Sequence, residues 1–139
     1  MENKIEKILF TDLAQIIEQG KSQLTKQVNS TITMVYWQVG FRINSEILYN
    51  KRAEYGKQIV PTVSAQLVEK YGSQFAEKNL RRMMRFAEVF SDFTIVAPVV
   101  RQLSWSHFLI LLPLKSEKSR AYYIQKAIEA TWSKRELQY

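Results

Sequence analysis

The chain has 139 residues, 46% hydrophobic and 12% aromatic, with a formal net charge of +7. That length suits one domain with a substantial core. No cysteine and a single histidine exclude a disulfide framework, Cys-ligated zinc and a multi-histidine metal site.

The longest apolar run, Phe108 to Leu114, falls short of the roughly 20 residues a membrane span needs. Met1 to Phe10 carries Glu2, Lys4, Glu6 and Lys7 where a secretory signal would be apolar. A cytoplasmic chain with no membrane partner is therefore expected. The charge is unevenly placed. Residues 1–77 hold 9 Lys/Arg and 8 Asp/Glu, whereas residues 78–139 hold 11 and 5 and so supply +6 of the +7. A concentrated cationic excess favours a polyanion partner through counterion release and steering, although many basic domains bind no nucleic acid.

Residues 2–19 read as a first helix, striped by Ile5, Leu9, Leu13, Ile16 and Ile17, with Gly20 as its stop. A long second helix is predicted over 22–49, where Leu24, Val28, Ile32, Val35, Val39, Ile43 and Ile47 keep helical spacing. Gly40 lies in its middle at a cost of roughly 1 kcal/mol against Ala, which close approach of a neighbouring helix would offset. Lys51 to Gly56 reads as a polar turn. Residues 57–71 form a third helix with Pro61 in its first turn, where a missing N–H does no harm.

After Tyr71-Gly72-Ser73, a fourth helix is predicted over 76–90. Leu80, Met83, Met84, Ala87 and Phe90 share one side of it, and Lys78, Arg81, Arg82 and Arg85 gather on the other. Ser91 to Val100 is the least regular stretch. Thr94-Ile95-Val96 could make a short strand, but Pro98 argues for an ordered loop. Ser104 is a candidate N-cap for a short helix to Leu112, and Ser116 caps another that carries Tyr122, Tyr123, Ala127 and Ile128. Ser133 followed by Glu136 matches a capping box, so a further helix starts at about Lys134.

Little in the chain could do catalysis. There is no Gly-x-Ser-x-Gly, the four glycines are isolated at 20, 40, 56 and 72, and Asp12 and Asp92 stand in no metal-binding pattern. His107 reads as a structural histidine. Met83, Met84 and the aromatics Tyr36, Trp37, Phe41 and Trp105 read as core. The basic helix remains. Its charge sorting resembles a helix-turn-helix recognition helix, with Lys78, Arg82 and Arg85 placed for phosphates and Asn79 or Arg81 for base edges. The competing reading is an ordinary solvated face.

Four segments also resemble a known family. Tyr36-Trp37-Gln38-Val39-Gly40 is similar to its Tyr-Trp-x-Ile-Gly. Asn79-Leu80-x-x-Met83-x-x-Phe86 is similar to its Arg-Asn-Leu-x-x-Met-x-x-Phe. Arg101-Gln102-Leu103-Ser104-Trp105-Ser106-His107 is similar to its Arg-Gln-Leu-Pro-Trp-x-His, and Trp132-Ser133 with Glu136-Leu137 to its Trp-Ser-x-x-x-Leu. These order the chain from about residue 20 to its end like the N-terminal region of YhcG-like proteins, which carry a PDDEXK nuclease domain after it. The resemblance implies a helical, DNA-binding domain, in a restriction or mobile-element defence setting. Ala76 replaces the family's Ser and Ser104 its Pro, and no nuclease domain follows within 139 residues, so catalysis does not transfer.

The expectation is thus an all-α fold of about six helices in one compact domain over 1–139, with a helix-turn-helix-like pair at 57–71 and 76–90. Its expected function is a non-catalytic DNA-binding module that positions a PDDEXK-type nuclease. Lys78, Asn79, Arg81, Arg82 and Arg85 would meet the DNA, and no cofactor or metal is called for. The alternative is a protein-interaction or homodimerisation domain, motivated by the long helix 22–49 and the aromatic surface near Trp132.

Overall fold

The computed structural model describes residues 2–50 and 53–138. Seven helices and one 3-10 turn, with no strand, make up the described residues. They are α1 (Glu2–Asn50), α2 (Ala53–Tyr71), the turn (Ser73–Phe75), α3 (Glu77–Val89), α4 (Phe93–Val100), α5 (Trp105–Leu111), α6 (Glu117–Glu129) and α7 (Lys134–Gln138). The all-α expectation holds. Of the turn expected over Lys51 to Gly56, residues 51 and 52 lie outside the described residues, as does Tyr139, and residues 53–56 are not a separate turn but the first turn of α2.

The first two predicted helices are one. α1 runs 49 residues through Gly20, about 73 Å at 1.5 Å per residue. A glycine stop needs a left-handed residue, and Gly20 has no positive φ. Helical glycine costs only about 1 kcal/mol against Ala, which the Leu, Gln, Glu and Lys residues around it can absorb.

Only the C-terminal part of α1 joins the body. Ser30, Thr33, Trp37, Gly40 and Asn44, spaced alternately by three and four, lie along one edge. Ser30 Oγ donates to the Val100 carbonyl at 3.1 Å, Trp37 Nε1 to the Phe90 carbonyl at 2.7 Å, and Asn44 Nδ2 to the Met84 carbonyl at 2.8 Å. Gly40 lies between these anchors. A β-carbon there would collide with the Met83–Met84 backbone, so α1 and α3 cross backbone to backbone, as the mid-helix glycine led one to expect.

Around this crossing the core has two parts. Phe86 packs against Phe108, with ring centroids 4.5 Å apart, in a cluster with Trp37, Val96, Val100, Leu111 and Ala127. Val60, Leu80 and Met83 form the second, with Tyr36, Leu67 and Phe75 around them. Trp37 is buried as expected, whereas Phe41 stacks on it from the exposed side, centroids 5.0 Å apart.

Three other features differ from expectation. α2 begins at Ala53, which puts Pro61 in its interior and not its first turn. Pro61 lies on the exposed side, so the Lys57 carbonyl it leaves without a helical donor is near solvent. The stretch after Ser91 is a helix, α4, and neither strand nor loop. Asp92 supplies its cap by accepting from the Thr94 amide at 2.9 Å and the Thr94 hydroxyl at 2.6 Å. Those two hydrogen bonds hold the Asp92 carboxyl below its ordinary value. Trp132, finally, is no open aromatic surface but a half-buried residue packed on the larger cluster.

Trp132 is delivered by the end of α6. Its amide reaches back to the Ala127 carbonyl at 2.9 Å and that of Thr131 to Ile128 at 3.3 Å, the paired bonds of a Schellman motif. Thr131 takes the left-handed position with φ 53°, where glycine is usual. α7 starts as predicted, with the Glu136 amide on Ser133 Oγ at 3.3 Å. Arg120 is buried with no carboxylate partner among the described residues and donates to the carbonyls of Leu111, at the end of α5, and Leu114, beyond it.

Candidate nucleic-acid interface

The basic helix is positioned by the turn before it. Gly72 has φ 120°, a conformation that side chains rarely adopt, and it breaks α2 so that the chain can reverse. Two side chains then clamp the turn. Ser64 of α2 donates to the Phe75 carbonyl at 2.8 Å, and Asn79 of α3 donates to the Gln74 carbonyl at 2.8 Å. Ala76 stands at the N-cap with no side-chain bond to give, and Glu77 in the first turn answers the positive end of the helix instead.

α3 buries Leu80, Met83, Phe86 and Ala87 against α1 and the core. The opposite side carries Lys78, Arg81, Arg82 and Arg85, all exposed. At about 100° per residue these four occupy an arc of roughly 100°, and Glu77 and Glu88 border it along one edge. That edge takes up two of the cations. Arg81 binds Glu77 at 2.9 Å and Arg85 approaches Glu88 at 3.8 Å, both in exposed ion pairs of the kind worth about 0.3–0.5 kcal/mol. Lys78 and Arg82 have no ion pair or hydrogen bond among the described residues. The face is thus cationic and only half neutralised.

Asn79 stands apart from the other candidates. It is half-buried, its Nδ2 is spent on the Gln74 carbonyl, and its Oδ1 accepts from Trp105 Nε1 at 3.3 Å. The amide ties the turn to α5 and does not project with the cations. Trp105 also meets Tyr36 of α1, with centroids 5.2 Å apart, so one indole links α1, α3 and α5. Sequence reasoning missed this use of Asn79. The signal was present in the motifs, since Asn79 and Trp105 each belong to one of the resembling segments.

His107 has a similar structural task. Its Nδ1 accepts the Ser104 amide at 3.0 Å, and its Nε2 lies 2.7 Å from the Trp132 carbonyl. A carbonyl can only accept, so Nε2 carries the proton and Nδ1 is the acceptor. The imidazole closes the start of α5 and fastens the segment before α7 to it. Asp92 is occupied by its cap and Asp12 stands on the exposed part of α1. Among the described residues no three of His, Asp and Glu come together to hold a metal ion, and no single helix is long and apolar enough to cross a membrane.

The DUF1016 N-terminal domain matches residues 12–139. The chain belongs to this family. It is also similar to a protein named Putative nuclease YhcG, from Escherichia coli (strain K12), at 24% identity over 156 aligned positions. That match covers 91% of this chain and 42% of the relative, so this chain spans less than half the length of that protein. No solved structure matches. The four sequence segments that carried the resemblance all lie in the matched region. Trp37 and Gly40, Asn79 and Phe86, Trp105 and His107, and Trp132 are the residues that join one helix to the next.

Proposed function

We propose that this chain is a non-catalytic module that binds duplex DNA and acts with a nuclease. The observation that carries the reading is the outward face of α3. Four cations sit in one arc on a helix whose other side is locked into the core, and Lys78 and Arg82 are left unpaired. Its cationic run from residue 78 to 85 is roughly 10 Å long, close to the about 12 Å width of the DNA major groove. α2, the Gly72 turn and α3 then serve as a helix-turn-helix-like pair, with α3 as the reading helix.

Lys78 and Arg82 contact phosphates directly. Arg81 and Arg85 join them once their exposed pairs with Glu77 and Glu88 exchange for phosphate, at small cost. Asn79 holds the turn so that these side chains are presented together. The relative's printed name supports a nuclease association, and the catalytic step belongs to that partner in a cytoplasmic setting.

Titration of the chain against a short duplex at two salt concentrations tests this. Binding that weakens with salt and is clearly weaker in Lys78→Ala with Arg82→Ala is expected. No binding at low salt, or binding indifferent to that double substitution, would sink it.

A further inference from the structure

The N-terminal part of α1 is built like an interface with nothing on it. From Glu6 to Asn29 every residue except Ala14 is exposed. Yet Leu9, Leu13, Ile17, Leu24, Val28 and Ile32 share one broad face of it, each between 42% and 63% exposed. This face lies opposite the edge through which Ser30, Trp37 and Asn44 hold the body, so nothing blocks it. With its neighbours it offers on the order of 500 Å² of apolar surface, at the upper end of what a monomer leaves open. Flanking Gln19, Gln23 and Gln27 would bring a helix–helix contact towards the about 800 Å² per partner of a stable interface.

We infer that the occupant is a second copy of this chain, with the two α1 arms packed antiparallel about a centre between Gly20 and Lys21. The spacing points to this partner. Six of the apolar residues on this face follow one another at intervals of 4, 4, 7, 4 and 4, a pattern that reads the same in both directions, and Phe10 and Val35 lie on the face beside them. Antiparallel pairing about that centre sets Ile17 against Leu24, Leu13 against Val28 and Leu9 against Ile32.

Charge selects the direction. Residues 2–18 hold four acidic residues and two lysines, net −2, whereas residues 19–29 hold Lys21 and Lys26 alone, net +2. Antiparallel arms set Lys26 opposite Gln15, one turn from both Asp12 and Glu18, while residues 2–11 face the uncharged residues 30–39. Parallel arms would lay like on like.

Gly20 fits the centre. A β-carbon on it would meet nothing within 4 Å, so the single chain has no use for a glycine there. On the same helix, Gly40 marks the place where another helix crosses at backbone contact. Gly20 is the corresponding notch for the partner's arm.

The inference does not depend on DNA binding, and its test uses no DNA. Sedimentation equilibrium of the full chain from about 1 to 100 µM should show a monomer–dimer equilibrium. Leu13→Glu with Leu24→Glu should weaken it at least roughly 100-fold, since both sit at the buried centre of the contact. The near-UV signal should stay unchanged, because Trp37, Trp105 and Trp132 all lie in the body.

The absence of cysteine makes direction readable. Mixed Ile17→Cys and Leu24→Cys chains should form the heterodisulfide under mild oxidation, and Ile17→Cys alone should not cross-link. A chain that remains monomeric at 100 µM overturns the inference and assigns the arm to a different protein. A dimer that survives both glutamates overturns it as well, and so does preferential cross-linking of Ile17→Cys to itself.

Discussion

A β-carbon on Gly40 would overlap the carbonyl group of Met83 and stand 2.8 Å from the Met84 amide nitrogen. All of these are backbone atoms within α3, so none can swing away. Local helix preference favours alanine at Gly40 by about 1 kcal/mol. Overpacking of a close crossing costs typically 1–3 kcal/mol and sometimes more. Gly40→Ala should therefore lower stability by roughly 1–2 kcal/mol net, read as a shifted urea midpoint with little change in slope. A neutral result would mean that α1 and α3 do not cross at backbone contact.

The cationic face and the asparagine beside it should fail differently. Removing Lys78 and Arg82 should lower the slope of log affinity against log salt by about 0.9 for each phosphate no longer neutralised, with the urea midpoint unchanged. Asn79→Ala should do the reverse. It frees the Gln74 carbonyl and the Trp105 indole N–H, at a cost of about 1–3 kcal/mol in stability. Its binding, measured well below the unfolding transition, should keep the wild-type salt slope. A changed sequence preference with unchanged stability would return Asn79 to base reading.

Thr131 is a correctable strain. A β-branched residue in the left-handed region costs roughly 1–2 kcal/mol, and glycine there loses part of that advantage through its freer unfolded chain. Thr131→Gly should raise stability by about 0.5–1 kcal/mol in urea or thermal melts. Destabilisation would show that the threonine side chain has a role in holding Trp132.

Asp92 gives the chain an acid sensitivity. The Thr94 hydroxyl and then the Thr94 amide favour its charged form, which lowers its folded-state value below the ordinary 3.8. The contribution is therefore complete above the ordinary carboxylate value and is lost as pH falls through the lower, folded one. The Thr94 amide resonance should titrate at a pH below that of an unfolded aspartate. In Asp92→Asn that titration should disappear, and α4 should lose its distinction between neutral pH and pH below the ordinary carboxylate value. A Thr94 amide that titrates at or above the ordinary value would contradict the cap.

Much of this was readable in advance because it is local or periodic. The apolar side of α3, the Ser133–Glu136 cap and the close approach at Gly40 each follow from spacing over a few residues. The failures have physical causes too. Gly20 looked like a stop because glycine is a weak helix former, but one weak residue does not end a helix whose neighbours are strong. Thr94-Ile95-Val96 looked extended because β-branched residues favour strands, and a cap at Asp92 outweighed that preference. Asn79 was read as a base-contacting residue, and the indole that its Oδ1 holds is 26 residues away, a distance no local pattern reports.

The continuity of α1 has a consequence for its phase. Gly40 keys the helix to α3 in one rotational setting, and no break is found between Gly40 and Gly20. The compass bearing of the arm relative to the cations is therefore written in the number of residues between the two glycines. One residue added there would turn the arm by about 100° and advance it about 1.5 Å, whereas seven would return it nearly to its bearing. Length in this stretch acts as an angular code, and substitutions that preserve helix should be tolerated where single insertions are not.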